Sequence, residues 1–221
     1  AKTLVNPMLQ SLLPGLWRYP DAVNCYVLQW DDGNTCLFDL GSGAVLEAMK
    51  RAGLPAPQVV FHTDYRRDRT FGHHDHPGLP VAIGAQDVRY LATAEDLWQD
   101  LQVDHAYAGY EAFWMPRANI PVTHALTDGQ LLVWSKPYVY AQHLGAHTPG
   151  GMGYLIVNQG RRVLVCGDIL QADGTLHSIY ELQRTYNFME GLHALRRVAG
   201  WLASGDIEAA LPAHGDPVIG T

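Results

Sequence analysis

Four separate segments of the chain each place an aspartate or a histidine at the end of a predicted β-strand. The residues are Asp64 and Asp68 after the apolar run 59–61, His147 before the run 154–157, Asp168 after the run 163–167, and His214 after the run 209–212. Loops at strand ends usually carry the binding and catalytic groups of a β-sheet. Aspartate and histidine bind divalent metal ions and also transfer protons. Because ligands from several segments are what a metal site needs, the pattern indicates such a site.

The later motifs of the chain resemble, in order and spacing, those of the metallo-β-lactamase superfamily. They are His147-Thr148-Pro149-Gly150-Gly151, Cys166-Gly167-Asp168 and Leu211-Pro212-Ala213-His214-Gly215, and residues 24–27 with 37–41 look like the superfamily's opening pair of strands. The similarity covers nearly the whole chain. It implies a mixed α/β fold, a four-layer αββα sandwich, in which residues 1–221 form a single domain. Since the sequence ends soon after the last motif, we also expect that it could be the N-terminal part of a longer chain.

The central motif departs from the superfamily pattern at its histidines. The superfamily carries Thr-His-x-His-x-Asp-His-x-Gly-Gly where this chain has residues 63–72. Asp68 matches, but the three histidine positions hold Asp64, Arg66 and Arg69. An arginine cannot bind a metal ion, because its guanidinium stays protonated and has no lone pair to give.

The resemblance implies two metal positions with reduced ligand sets. The first position keeps Asp64, His147 and Asp168, and the second keeps Asp68, Asp168 and His214. Three protein ligands plus a water are what a catalytic metal needs. Asp68 would also be the catalytic residue, orienting a metal-bound hydroxide. We expect zinc first. Iron and manganese are the alternatives, because the loss of imidazole ligands favours harder ions.

The two motif arginines oppose full metal occupancy. Two unit charges 4 Å apart interact by about 4 kcal/mol at an effective dielectric constant of 20, and a divalent ion beside a guanidinium roughly doubles that repulsion. Clustered aspartates without a metal ion need positive partners, which Arg66 and Arg69 would supply. One arginine side chain could still turn toward solvent. We therefore predict one ion or none rather than two, with a single ion on Asp68, Asp168 and His214.

Three functions remain open on these residues. The first is metal-dependent hydrolysis of an anionic ester, amide or phosphoester, with Arg66, Arg69 and Tyr180 binding the substrate. The second is a non-catalytic, metal-poor protein that binds an anion or a partner protein in an arginine-lined cleft. The third is an iron-dependent oxidoreductase, because relatives in the superfamily with carboxylate-for-histidine changes bind iron.

Composition narrows the partners and the compartment. The 221 residues carry a net charge of −7, which argues against a nucleic-acid surface. No apolar run reaches the ~18 residues of a membrane span. The three cysteines lie in apolar runs, which indicates reduced thiols and a cytoplasmic protein. We expect a small-molecule substrate, and the sequence leaves a homo-oligomer open.

The remaining patterns predict the elements that position these residues. An Asp-Asp-Gly-Asn turn at 31–34 predicts a β-hairpin, and apolar spacing predicts helices at 44–52, 85–101 and 191–203. Further strands are expected at 58–61, 80–85, 122–126, 131–134 and 138–143. We interpret His62 as structural and the histidine-rich run 73–76 as a solvated loop, with metal binding as its alternative. The aromatic run 102–119 indicates packing, a pocket wall or a lid.

Overall fold

A computed structural model of the protein describes residues 8–95, 115–116, 118–132, 135–145, 147–172 and 188–220. Within these residues, two β-sheets pack face to face. The first sheet follows chain order: β1 (Gln10–Leu13), β2 (Leu16–Pro20), β3 (Asn24–Gln29), β4 (Thr35–Phe38), β5 (Val60–Phe61), β6 (Val81–Gly84) and β7 (His124–Leu126). Strands β1 to β4 pair antiparallel and β4 to β7 pair parallel. The parallel part brings the carboxyl ends of β4 and β5 to one edge.

The second sheet comes from the later half of the chain. Its order is β12 (Val218–Ile219), β11 (Ala209–Pro212), β10 (Arg161–Gly167), β9 (Met152–Asn158) and β8 (Tyr138–His143). Strands β10 and β11 are parallel, and the other neighbours are antiparallel. The loops after β10 and β11 therefore leave the sheet at the same end.

Helices cover the outer faces of both sheets. They are α1 (Ala44–Arg51), α2 (Arg67–Thr70), α3 (Val88–Ala92) and α4 (Phe188–Ser204), with 3₁₀ turns at Phe71–His74 and Ala85–Asp87. The buried face of α1 packs on the first sheet and that of α4 on the second. Between the sheets lies the main apolar core, which includes the contacting rings of Phe38, Phe61 and Tyr154. This is the expected four-layer αββα arrangement.

The described elements confirm most of the predicted pattern and correct two parts of it. The 85–101 helix is wrong as a continuous element: a 3₁₀ turn leads into α3, which ends at Ala92 with Thr93 as its C-cap, and residues 96–101 lie outside the described residues. The Thr93 hydroxyl donates a hydrogen bond of 2.9 Å to the Arg89 carbonyl, and such a local bond competes with continuation of the helix. The expected strand 131–134 is reduced, among its described residues, to a bridge between Leu131 and Tyr140.

No helix in the described ranges is long and apolar enough to cross a membrane.

Candidate active site

The loop between β5 and α2, together with α2 itself, supplies four of the charged residues of the site. The Asp64 carboxylate accepts a 2.8 Å hydrogen bond from the Arg66 backbone N–H, which closes a turn. Arg66 is the extended residue at the start of α2, so helical backbone begins directly after it. The short helix then carries Asp68 and Arg69 back toward the sheet.

Arg69 is the centre of the site, and its side chain is fully buried. Its Nε lies 3.2 Å from Asp64 Oδ2, its Nη1 donates 2.8 Å to Asp68 Oδ1, and its Nη2 donates to Asp168 Oδ2. Nε also donates 3.0 Å to the Thr63 hydroxyl. Each guanidinium nitrogen thus contacts a different aspartate, an arrangement that the planar fork of arginine allows.

His214 lies on the open side of the same aspartates. Its Nδ1 is 2.7 Å from Asp168 Oδ1, and its Nε2 is 3.7 Å from Asp68 Oδ2. Asp68 and Asp168 therefore each have one oxygen toward Arg69 and the other toward His214. Ligand atoms of these two aspartates and His214 lie within 4.8 Å of one another, the spacing of a metal-binding group.

His147 approaches the cluster from the other sheet. Its Nδ1 is 3.6 Å from Asp64 Oδ2, and its carbonyl accepts a 3.3 Å hydrogen bond from Arg66 Nη2. The loop that carries it is held by the buried Asp87 carboxylate. Thr148 Oγ1 donates a hydrogen bond of 2.5 Å to this carboxylate, and the Gly150 N–H donates one of 2.7 Å to it.

Arg69 controls the ionisation of the carboxylates. Burial alone would raise the pKa of Asp64, but Arg69, together with His147 and Arg66, lowers that pKa to about 2. The pKa of Asp168 likewise falls well below its usual range, because Arg69 and His214 outweigh its burial. In return, the three aspartates hold the pKa of the Arg69 guanidinium well above its ordinary value despite burial.

The two groups at the open side titrate differently from the buried pair. Burial raises the pKa of Asp68, and the neighbouring Asp64 and Asp168 charges add to the increase that Arg69 only partly offsets. Burial acts to lower the pKa of His214, but its hydrogen bond to Asp168 outweighs that and the pKa is raised. The pKa values of Asp68 and His214 are thus raised, whereas those of Asp64 and Asp168 are lowered.

The structure brings together the five residues predicted as metal ligands, and it places both motif arginines beside them. These five are Asp64, Asp68, His147, Asp168 and His214. Arg69 was expected to bind the substrate, but its side chain is buried among the carboxylates and does not lie at the rim of the site. The role of Arg66 in substrate binding stays a prediction, and Tyr180 lies outside the described residues.

Sequence reasoning missed two aspartates that support the site. Asp39, directly after β4, accepts hydrogen bonds from the Thr63 N–H at 2.9 Å and hydroxyl at 2.7 Å, and lies 4.0 Å from Arg69 Nε. Asp87 positions the His147 loop. The signal for Asp39 was its place at a strand end in the opening motif. Asp87 had no comparable signal, because it starts a predicted helix.

The histidine-rich run 73–76 divides into a buried and an exposed part. His73 is buried, and its Nε2 lies 2.8 Å from Nε2 of His62. Burial, with the neighbouring His62, lowers the pKa of His73 to about 3. The solvated-loop interpretation is therefore wrong for His73, while residues 74–76 are largely exposed as expected. The structural interpretation of His62 agrees with its buried hydrogen bond.

The donor set fits one metal ion better than two. Asp68, Asp168 and His214 form the spacing of a metal-binding group, and Asp68 Oδ2 faces His214 rather than Arg69. The first predicted position fits poorly, because the Asp64 oxygen nearest His147, Oδ2, is the same oxygen that lies against the Arg69 guanidinium. A second cation there would meet a fixed positive charge.

Comparison with known proteins identifies the fold. No protein-family model and no curated protein matches the sequence. Among solved structures, a metallo-β-lactamase family protein from Thermus thermophilus is similar with a TM-score of 0.66 and 20% identity, over 95% of this chain and 76% of that one. The subclass B3 metallo-β-lactamase BJP-1 of Bradyrhizobium japonicum gives a TM-score of 0.63 at 15% identity, over 93% and 76%.

A third solved structure, a Cronobacter sakazakii metallo-β-lactamase described by a HARLDQ motif, gives a TM-score of 0.67 at 14% identity, over 93% of this chain and 77% of that one. The layers, the strand-end site and these likenesses lead to one conclusion: the chain has the fold of the metallo-β-lactamase superfamily.

Proposed function

We propose that the protein is a hydrolase of the metallo-β-lactamase fold that uses a single divalent metal ion. The observation that carries this proposal is the convergence of Asp68, Asp168 and His214, with ligand atoms within 4.8 Å of one another. A set of two carboxylates and one imidazole suits zinc, and also the harder ions iron and manganese.

The charges of the site support one ion. Four carboxylates lie within 4.0 Å of the Arg69 guanidinium, and the charge of Arg66 acts on one of them, Asp64, so two negative charges remain when all six groups are ionised; the carboxylates are Asp39, Asp64, Asp68 and Asp168. A single divalent ion would balance that remainder. A second ion would leave a positive excess in a largely buried site, where interactions between charges are weakly screened.

Asp68 and His214 have defined roles in the proposed hydrolysis. A bound ion would supply a water of lowered pKa and a Lewis acid for the scissile carbonyl or phosphoryl group. If an ion were bound, Asp68 would help to hold it and to orient its water, because Asp68 Oδ2 lies 3.7 Å from His214 Nε2 and not against Arg69. The 2.7 Å contact with Asp168 fixes the orientation of the His214 ring.

The substrate that we propose differs from the sequence expectation. An anionic substrate was expected because two arginines lay in the motif. Arg69 is buried against three aspartates, so its charge is already offset within the protein. With that charge offset, Arg69 gives no preference for an anionic substrate, and we propose an ester or amide without a net negative charge at the scissile group.

A non-catalytic, metal-free protein is the second candidate function. The observation that favours it is the same guanidinium, which already pairs with the carboxylates that would hold an ion. In this case the cleft would bind a small molecule through His147 and His214 at its rim without hydrolysing it.

Metal analysis and a hydrolysis assay separate the two candidates. Protein purified without added metal would be analysed for zinc, iron and manganese, then titrated with each ion after chelation, and assayed on 4-nitrophenyl acetate and bis(4-nitrophenyl) phosphate. We expect one equivalent and turnover of the ester, both lost in Asp68→Asn. Asp216→Asn is the matched control, because it removes an exposed carboxylate two residues from His214.

Each result has a defined meaning. One bound equivalent with ester hydrolysis supports the proposal. Neither binding nor hydrolysis supports the metal-free candidate. Hydrolysis that persists in Asp68→Asn, or two equivalents retained after dialysis against a chelator, contradicts the proposed site.

A further inference from the structure

We infer that the Arg69 guanidinium takes the place of a second metal ion as a built-in cation. The inference rests on the proposed function only for the first ion, and it would hold even if the protein bound none. Its basis is which aspartates the guanidinium contacts. Asp64 belongs to the first predicted metal position, Asp68 to the second, and Asp168 to both.

The geometry of the contact is that of a coordinating centre. Three nitrogens of one planar group each lie within 3.2 Å of a carboxylate oxygen of a different segment, from the loop after β5, from α2 and from the loop after β10. A metal ion at this place would join the same three segments. The guanidinium therefore does the cross-linking that the ion does in a metalloprotein, and it cannot dissociate.

Burial explains why the three aspartates need a cation. The side chains of Asp64 and Asp168 are 3% and 4% exposed, and that of Asp68 is 15% exposed. Ionised carboxylates at this depth are unstable without a charged partner. Removing the guanidinium leaves a choice between protonating the aspartates and binding another cation in its place.

Both ends of Arg69 are held, so the side chain has no alternative position in solvent. Its backbone carbonyl accepts hydrogen bonds from the N–H groups of Leu40 at 3.0 Å and Gly41 at 3.1 Å. Its Nε also donates to the Thr63 hydroxyl, which in turn donates to Asp39. Arg66 differs from Arg69 in the partner of its side chain: the described hydrogen bond from its Nη2 goes to the backbone carbonyl of His147.

The test compares Arg69→Met with wild type in ion count and in thermal stability. Methionine matches the length of the arginine stem and carries no charge. We expect the variant to bind one more equivalent of Zn²⁺ than wild type by calorimetry. Its Tm without metal should fall by about 10 °C, from loss of one partner of a buried ion network, and saturating Zn²⁺ should recover most of that loss. Arg66→Met is the matched control and should bind as many ions as wild type.

A second variant covers the case in which Arg69→Met does not fold. Arg69→Ala leaves room for a free guanidinium, so millimolar methylguanidinium should raise its Tm more than methylammonium does. The ammonium is a point charge that cannot reach three carboxylates at once. Recovery by Zn²⁺ or by methylguanidinium supports the inference.

The outcomes of this test and of the function test are distinct. If wild type binds no ion and Arg69→Met binds one, the inference stands and the single-ion hydrolase is wrong. If Arg69→Met binds as many ions as wild type, and neither Zn²⁺ nor methylguanidinium raises the Tm of its variant, the inference is overturned.

Discussion

The buried Asp87 carboxyl should make the protein less stable as the pH rises. This side chain is fully buried where the 3₁₀ turn meets α3, and it holds Thr148 and Gly150 in the His147 loop. Burial raises the pKa of Asp87 from 3.8 to about 7, although both hydrogen bonds act to lower it. Substitution Asp87→Asn keeps the size and shape of the side chain and removes its titration.

The sign and size of the effect follow from that pKa. Because the folded protein binds the proton more tightly than the unfolded chain, Asp87 contributes stability below about pH 4 and loses it as the pH rises to about 7. Each pH unit in this window is worth about 1.4 kcal/mol, so the upper limit is about 4 kcal/mol. The free energy of unfolding of Asp87→Asn, minus that of wild type, should increase by up to this amount.

Urea unfolding at several pH values between 4 and 8 measures this difference directly. Subtracting wild type from variant cancels most of the contribution of the other titrating groups, because both proteins carry the same groups. Asp32→Asn is the control, because Asp32 is an exposed aspartate that accepts bonds within a turn. Solvent should keep the corresponding difference for this control small across the range.

A difference that stays constant with pH would refute the reasoning, since it would mean that Asp87 titrates alike in the folded and unfolded chains. A difference that decreases with rising pH would refute it more strongly. That result would show that the two donors stabilise the ionised carboxylate by more than burial costs it.

Three further predictions concern two glycines, Asn24 and His73. A Cβ on Gly84 would lie 2.0 Å from a loop carbonyl, so Gly84→Ala should cost about 1–3 kcal/mol in urea unfolding, whereas Gly200→Ala, in open space on α4, should stabilise by about 0.5–1 kcal/mol. Asn24 donates to two backbone carbonyls of the His214 loop, at 2.9 and 2.7 Å, and Asn24→Ala should destabilise by about 1–3 kcal/mol; an unchanged midpoint would contradict this. The His73 ring, whose pKa burial lowers to about 3, should remain neutral at pH 5 in ¹⁵N NMR spectra, and a protonated ring at that pH would contradict this prediction.

The strand ends of the fold could be predicted because they depend on local patterns. Apolar runs followed by turn residues mark β4, β5, β10 and β11, and these strands position the site. The strands β1, β2 and β12 were not predicted. They are short or lie beside proline and glycine, so their pairing depends on a neighbouring strand rather than on their own pattern.

The ligand set could be predicted from the order of motifs, but its internal pairing could not. Sequence reasoning indicated that Arg66 and Arg69 would offset the charge of the aspartates. It did not indicate which arginine would do so, because both occupy histidine positions of one motif and both are near the carboxylates along the chain.

Backbone geometry separates the two arginines. Arg66 precedes the first turn of α2 in extended conformation, with φ −61° and ψ 150°, whereas Arg69 lies within that turn. The carbonyl of Arg69 is then fixed by the loop after β4, and its side chain is directed into the cluster between the two sheets. Its charge therefore lies buried against three aspartates from three segments rather than in solvent, and the extended or helical backbone at each arginine decides which of the two takes that place.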